Sequence, residues 1–177
     1  PAATIALMPQ EALWLEAPAL AEQARFHVVP TPRARPRPEP DLTSGLVLEA
    51  VAPVLDQRGG VLGLLYGGIL LNRNFEIVDK IKQTVFQGVQ YQGRDIGTAT
   101  IFLDDVRIAT NVTNPDGTRA IGTRVASNVY QQVVVHGRPW IGRAYVVKDW
   151  YVTAYEPIVG VGNRILVDDG LIGLDVI

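Results

Sequence analysis

The sequence predicts an α+β fold in which helices precede an antiparallel sheet. Phe75, Val78 and Ile81 follow helical spacing. Apolar and polar residues then alternate, as in strands that bury one face, over residues 98–103, 106–112, 140–147 and 151–158. A single long insertion separates the second of these strands from the third. We therefore expect residues 98–177 to form one antiparallel sheet, with residues 113–139 folded over one of its faces.

The composition is that of a folded protein without a nucleic-acid partner. Of the 177 residues, 47% are hydrophobic and 19% are charged, and the net charge of −2 lacks the basic excess that nucleic acids attract. Cysteine is absent, which excludes disulfides, thiol nucleophiles and cysteine-based zinc sites. No apolar run reaches the roughly 18 residues that a membrane span needs. Because the chain begins at Pro1 and stops within an apolar segment, we expect it to be part of a longer protein.

The first forty residues predict helices and an extended loop, without strands. Residues 9–26 are typical of a helix that Pro18 splits or kinks. Five prolines then fall between residues 28 and 40, a density that neither a helix nor an interior strand tolerates. The basic run from Arg33 to Arg37 lies in this loop, and we expect it to be solvated.

A hairpin and a helix follow. Residues 45–53 and 61–70 are typical of strands, and the glycines between them permit a tight antiparallel connection. Asn72 or Asn74 is placed to cap the next helix, and Gly88 to end it.

One hairpin motif occurs twice. Ala50-Val-Ala-Pro-Val54 matches Ala154-Tyr-Glu-Pro-Ile158, and each is followed by a glycine-containing turn and an apolar strand with one glycine. This repeat predicts two hairpins in separate sheets. We expect a small, incomplete unit over residues 1–71 and a fuller unit over residues 72–177, joined through the helix that opens the second unit.

The insertion predicts a lid over the sheet. It contains a turn at residues 114–117 and a short helix near residues 127–134, which Ser127 or Asn128 could cap. Long connections of this kind often carry binding residues. The candidate binding residues of this insertion are Arg119, Thr123, Arg124 and Tyr130.

Polar residues on the last strands predict an anion site. Arg143 and Tyr145 share one parity of their strand, as do Thr153 and Tyr155 of the next, and we expect all four on one sheet face. The guanidinium of Arg143 would bind a carboxylate with two parallel hydrogen bonds. Its alternative role is a structural pair with Asp149 or Glu156.

Further residues could complete this site. Arg107 and Arg119 are candidates for a second charged contact, although nearby aspartates such as Asp104, Asp105 and Asp116 could pair with them instead. Trp150 either packs or walls the pocket. The predicted ligand-binding residues are Arg107, Thr110, Arg119, Thr123, Tyr130, Arg143, Tyr145, Trp150, Thr153 and Tyr155.

Several motifs in a fixed order resemble the Cache sensory domains of bacterial transmembrane receptors. The resemblance covers roughly residues 45–177. The motifs are Tyr66-Gly-Gly-Ile-Leu-Leu-Asn-Arg-Asn74, Gly97-Thr-Ala-Thr-Ile-Phe102, Arg107-Ile-Ala-Thr-Asn-Val112, Gly117-Thr-Arg-Ala-Ile-Gly-Thr-Arg-Val125, Trp140-Ile-Gly-Arg-Ala144 and Asp149-Trp-Tyr-Val-Thr-Ala-Tyr-Glu-Pro-Ile158.

The resemblance implies a PAS-like antiparallel sheet of about five strands, a lead-in helix, and a helix-and-loop lid over a pocket. It also implies the periplasmic part of a receptor, such as a histidine kinase or chemoreceptor, that is anchored in the membrane through segments outside this chain. Such a module would bind a small carboxylate or amino acid and act as a homodimer. The alternative function is a ligand-free structural or dimerisation module.

No feature of the sequence predicts catalysis. His27 and His136 lie far apart, and neither a nucleophile-elbow serine nor a phosphate-binding loop is present. We therefore expect no enzymatic activity, no metal site and no cofactor.

Overall fold

The computed structural model describes residues 2–91, 93–160 and 171–176. Its helices are α1 (Gln10–Glu16), α2 (Pro18–Ala24), α3 (Phe75–Phe86) and α4 (Ser127–Tyr130), which a π-helical turn (Gln131–Val135) continues. Its strands are β1 (Ala2–Met8), β2 (Phe26–His27), β3 (Asp41–Leu42), β4 (Gly45–Leu55), β5 (Val61–Leu70), β6 (Gln90–Tyr91), β7 (Arg94–Asp95), β8 (Gly97–Leu103), β9 (Val106–Thr110), β10 (Trp140–Val146), β11 (Asp149–Pro157) and β12 (Leu171–Val176).

The C-terminal half forms a five-stranded antiparallel sheet in the order β10-β11-β12-β8-β9. One row of residues crosses the whole sheet: Trp140 pairs with Tyr155, Tyr155 with Gly173, Gly173 with Thr100, and Thr100 with Thr110. This architecture confirms the predicted α+β class and the predicted PAS-like sheet. Asp168 and Asp169 lie outside the described residues.

The two faces of this sheet are covered by different elements, which explains the alternation in the sequence. Ile101 and Ala109 point to the face that packs against Val78 of α3. Phe102 and Tyr155 point to the opposite face and pack against α4 and the π-helical turn. We call this second side the lid face, and it is the side on which residues 113–139 were expected.

Two asparagines place α3 against the rest of the chain. The side chain of Asn74 caps the helix by accepting from the Ile77 N–H at 3.4 Å. Asn72 is fully buried instead, and its side chain accepts from the Leu46 N–H and donates to the Ala24 carbonyl. The helix ends at Gln87, which adopts the left-handed conformation one residue before the expected Gly88.

The lid helix is not capped as its sequence predicts. Ala126 precedes α4, and no side chain caps the helix. The Ser127 N–H donates to the Arg33 carbonyl at 2.8 Å instead. A backbone group from a distant segment therefore satisfies the end of this helix.

The N-terminal half forms a three-stranded sheet in the order β1-β4-β5. The expected hairpin is present as β4 and β5, and the two repeated hairpins lie in separate sheets, as predicted. The expectation of no strand before residue 44 is wrong, because all seven residues of β1 pair with β4. Pro18 opens α2, as expected, and Leu13 of α1 is buried against β4 and β5.

Candidate functional site

Arg143 and Tyr145 lie on the opposite face of the five-stranded sheet from Thr153 and Tyr155. Directly paired residues of antiparallel strands share a face. Thr153 pairs with Gly142, whereas Arg143 pairs with Val152. The expectation that all four residues share one face is therefore wrong. Alternation correctly grouped Arg143 with Tyr145 and Thr153 with Tyr155, but the register between β10 and β11 places the two groups on opposite faces.

Arg143 belongs instead to an exposed cluster on the face of the sheet opposite the lid face. Its guanidinium carbon lies 5.5 Å from the centre of the Trp150 ring, and Arg33 lies over the same ring at 4.8 Å. The Tyr145 and Trp150 rings meet edge to face at 5.7 Å. None of the ion pairs among the described residues joins Arg143 to Asp149 or Glu156.

The lid face holds a buried arginine, which the sequence predicted only as a second charged contact for the ligand. Arg107 of β9 is 1% exposed, and it lies over the Phe102 ring at 4.8 Å. Its Nη1 donates to the Thr123 hydroxyl at 2.9 Å, and that hydroxyl donates to the Ala120 carbonyl at 2.6 Å. Its Nε is buried without a hydrogen-bond partner. In the described part of the chain, no ion pair involves Arg107.

The backbone of Arg107 is also joined to the lid. Its N–H donates to the Thr123 carbonyl at 2.8 Å, and its carbonyl accepts from the Gly122 N–H at 2.9 Å. A bridge between Val106 and Arg124 continues this pairing. Residues 122–124 of the lid therefore form a short extension of the sheet, next to the buried guanidinium.

Hydroxyl groups line the same face. The Thr100 and Thr110 hydroxyls lie 2.7 Å apart and are fully buried. The Thr153 hydroxyl accepts from the Trp140 indole at 3.1 Å and donates to the Gly142 carbonyl at 3.0 Å. The Tyr155 ring meets Phe102 edge to face at 6.0 Å. These contacts place Thr110, Thr153 and Tyr155 on the same face as Arg107.

The guanidinium of Arg119 contacts helix α3, whereas that of Arg107 lies on the lid face. Its guanidinium donates to both carboxylate oxygens of Asp79 on α3, at 2.9 and 2.7 Å, and to the Thr110 carbonyl at 2.8 Å. These hydrogen bonds from Arg119 hold the pKa of Asp79 below its ordinary range. Arg119 thus joins the lid to α3, and the nearby aspartate that pairs with it is Asp79; its role as a second charged contact for a ligand stays a prediction.

The proline-rich segment is not a solvated loop. Residues 28–40, which we call the strap, run across the lid: the Val29 N–H donates to the Gly122 carbonyl, and the Thr31 hydroxyl accepts from the Arg124 N–H. Prolines hold such a segment extended, so it reaches far at little entropic cost. The Arg35 side chain lies over the ring of Tyr130, at 4.4 Å.

Charged side chains fix the strap to the turn between β8 and β9. Arg35 donates to Asp104 at 2.7 Å and to Asp105 at 3.2 Å. Arg37 contacts both aspartates, and Arg124 of the lid binds the fully buried Asp105. Burial, followed by the charge of Asp105, raises the pKa of Asp104 above its ordinary value. A signal for this cluster is present in the sequence, since paired aspartates and regularly spaced arginines are complementary, but their spacing alone does not show that they are in contact.

The described residues contain neither a metal-binding cluster nor a membrane-spanning helix. No group of three or more histidine, aspartate or glutamate side chains is placed there to hold a metal. Within the same ranges, no helix is long and apolar enough to cross a membrane.

A PAS-like antiparallel sheet with a lid over one face and a buried polar cluster beneath it is the architecture of a Cache-like sensor fold. The family model for the single Cache domain 3 matches residues 69–167, which is more than half of the chain. The chain therefore belongs to the single Cache domain 3 family, and the predicted relationship to Cache sensory domains is confirmed.

Two of the solved structures that match the chain are domains of bacterial proteins. The periplasmic domain of LuxQ from Vibrio cholerae matches with a TM-score of 0.45 and 15% identity over 95% of this chain. The ligand-binding domain of the amino acid chemoreceptor PctB from Pseudomonas aeruginosa PAO1, in complex with L-Arg, matches with a TM-score of 0.29 and 18% identity over 98% of this chain. The chain spans 61% and 65% of those two structures. No curated protein sequence matches the chain.

Proposed function

We propose that this chain is the sensor module of a bacterial receptor and binds a small organic anion, such as a carboxylate or amino acid, between the lid and the five-stranded sheet. Arg107, rather than Arg143, is the charged anchor. The observation that supports this is a guanidinium that is 1% exposed, with a buried Nε that lacks a partner.

An arginine in this position is costly without an anion. The guanidinium stays protonated in proteins, so burial cannot be relieved by loss of its proton. A buried charge is stabilised only by a partner of opposite sign or by a full set of hydrogen bonds. Arg107 has the Thr123 hydroxyl and the Phe102 ring, which leave part of its fork unused. A carboxylate supplies the missing acceptors.

Ligand binding at Arg107 can change the conformation of the rest of the module through the lid. The Arg107 backbone pairs with Gly122 and Thr123, and Gly122 in turn accepts from the strap. A ligand that draws the guanidinium away from Thr123 therefore alters the segment that the strap holds. Any ligand that prefers one lid position shifts the equilibrium between lid positions.

The test compares Arg107→Met with Arg143→Met in a thermal-shift screen of small mono-, di- and tricarboxylates and the standard amino acids. Methionine keeps most of the buried volume and removes the charge. Without ligand, Arg107→Met is expected to melt at the same temperature as the wild type or higher, because a poorly paired charge is lost. The affinity of any carboxylate that stabilises the wild type is expected to fall by roughly 30-fold or more in this variant.

Arg143→Met is the matched control, because Arg143 is an exposed arginine of the same sheet. It is expected to keep the ligand affinity of the wild type. Equal losses in the two variants, or a loss in Arg143→Met alone, would remove Arg107 as the anchor.

A second candidate function is a ligand-free structural or dimerisation module. It is favoured by the close packing of the lid face, where Phe102 and Tyr155 are almost completely buried against the lid helix. This candidate predicts that no compound of the screen shifts the melting temperature of the wild type.

The setting that we propose is the periplasmic side of an inner-membrane receptor. The module would be anchored through segments outside this chain and would work as a homodimer. We also propose that residues 1–71 form an accessory unit, whereas residues 72–177 form the ligand-binding unit. The Cache family supports this arrangement, and the polar lid face lies within the second unit.

A further inference from the structure

The hairpin of β4 and β5 exposes large apolar side chains on both of its faces. On β5, Leu62 is 71% exposed, Leu64 and Leu65 are each 68% exposed, and Tyr66 is 63% exposed. An open groove of about 570 Å³ runs over the small residues Ala50 and Gly67. Soluble monomers rarely leave a contiguous apolar surface of this kind uncovered.

β5 is also an open edge of its sheet. The order β1-β4-β5 leaves one side of β5 without a neighbouring strand among the described residues. Edge strands are normally protected by charges, prolines or a covering segment. The ten residues Val61–Leu70 include no charged residue and no proline. The backbone groups along this edge can therefore accept another strand.

The sequence of β5 is complementary to itself. If two copies pair antiparallel around a two-fold axis at Tyr66, Gly67 of one copy faces Leu65 of the other. In the same register, Gly68 faces Leu64, and Gly63 faces Ile69. Each glycine of the strand is thus opposite a large apolar residue, and cross-strand pairs of this kind stabilise sheets whose glycines lack side-chain contacts.

The space beside two of the three glycines is open. A Cβ atom built on Gly63 or Gly67 would meet nothing within 4 Å. Pairing around Leu65 would instead place Gly63 opposite Gly67, which leaves those positions empty. Between these two axes, the alternation of small and large residues therefore favours the one at Tyr66.

We propose that β5 is the homodimer interface of this sensor module, with two copies pairing edge to edge around Tyr66 into one six-stranded sheet. The inference rests on the proposed receptor function for its setting, because it names the partner surface of the dimer proposed there. A two-fold contact uses the same patch twice and closes after two copies.

A second copy fits this surface better than an unrelated partner. The edge carries no charge that would select a complementary charge on another protein, and two copies bring no like charges together.

Single cysteines test the pairing directly, because the natural chain has none. In the proposed register the Tyr66 Cα atoms of the two copies lie within the ~4.4–6.8 Å that a disulfide spans. The Leu64 Cα atoms lie four residue positions apart, or about 13 Å. Under mild oxidation, Tyr66→Cys is expected to form the disulfide-linked dimer at least about tenfold more than Leu64→Cys. Both side chains are similarly exposed, and Tyr66→Cys removes only an exposed hydrogen bond to Glu16.

The oligomeric state of the unmodified chain provides the second measurement. Sedimentation velocity is expected to show a dimer for the wild type and a monomer for Leu65→Lys, which places a charge in the interface. Ile141→Lys is the matched control, because Ile141 is 83% exposed on the edge strand β10 of the other sheet, and it is expected to remain a dimer.

Three results would overturn the proposal. They are a monomeric wild type at every concentration measured, open-ended polymers in place of a closed dimer, and a cross-link at Leu64 that equals the one at Tyr66. The ligand site is tested independently, because Arg107→Met is expected to remain dimeric whether or not it binds an anion.

Discussion

The two repeated hairpins have similar sequences and opposite environments. In the five-stranded sheet, Tyr155 is 1% exposed and packs against Phe102 under the lid. Val51, at the equivalent position of the first hairpin, is 37% exposed. The hairpin motif therefore specifies strand pairing, whereas burial depends on which other elements reach each face.

The glycines of the two hairpins show the same contrast. A Cβ atom on Gly63 would enter open space, but one on Gly173 would lie 2.0 Å and 2.1 Å from two carbons of the Tyr155 ring. Gly173 is therefore required because an aromatic ring from the paired strand lies over it. Nothing in the described part of the chain imposes such a requirement on Gly63.

The largest expected difference between the hairpins comes from truncating the two equivalent side chains. Tyr155→Ala should lower the free energy of unfolding by about 3–5 kcal/mol, because it leaves a cavity between the sheet and the lid. Val51→Ala should change it by less than about 1 kcal/mol, since this side chain is already partly in solvent. Urea unfolding at low protein concentration measures both. Similar losses would mean that the two hairpins are equally buried.

Adding a methyl group is expected to give a smaller contrast. Gly173→Ala should cost about 1–3 kcal/mol by forcing the Tyr155 ring out of its position. Gly63→Ala should be neutral or slightly stabilising, because the added methyl meets no atom and restricts the unfolded chain.

A double-mutant cycle serves as the control for this second prediction. In a Tyr155→Ala background, Gly173→Ala should lose most of its cost, because the clashing ring is gone. An undiminished cost there would point to backbone strain rather than to the ring.

The smallest expected effect is the pH dependence of one contact in the C-terminal half. Because Arg119 lowers the pKa of Asp79 in the folded state, this carboxylate stabilises the fold at pH values above its ordinary pKa. That contribution is lost as the pH falls through the lowered pKa. The wild type should therefore melt at a higher temperature than Asp79→Asn at neutral pH, and this difference should disappear in acid. Asp79 is half-exposed, so solvent screening keeps the effect small.

Asp41 supplies the comparison from the N-terminal half. It contacts Arg25 and His27, whose side chains are 55% and 76% exposed. Asp41→Asn is expected to change the melting temperature less than Asp79→Asn at neutral pH. The opposite order would mean that the exposed pair, rather than the contact between α3 and the lid, carries the acid sensitivity.

Local patterns were sufficient for most elements. Helical spacing located α3, proline and glycine located the breaks, and alternation located the strands of the five-stranded sheet. They were insufficient for β1, whose short apolar run lies at the start of the chain and pairs with a strand about forty residues away. They also failed for the strap, because a basic, proline-rich segment has the composition of a solvated loop.

The candidate site could be predicted only in part, for a geometric reason. Alternation correctly separated the two faces of β10 and of β11, but it does not determine which faces coincide. The register between the strands does, and a shift of one residue exchanges the faces. This is why Arg143, the expected anchor, points away from the lid, whereas Arg107 lies beneath it.

Local sequence patterns predicted the α+β class, the repeated hairpins, the lid insertion and the membership of the Cache group, because each of these depends on residues that are close along the chain. The tertiary structure alone decided which arginine is buried, where the strap is bound, and why one hairpin is covered while the other is open. These outcomes depend on contacts between segments that are distant in sequence. Such contacts are selected by the packing of whole faces, which no local pattern specifies.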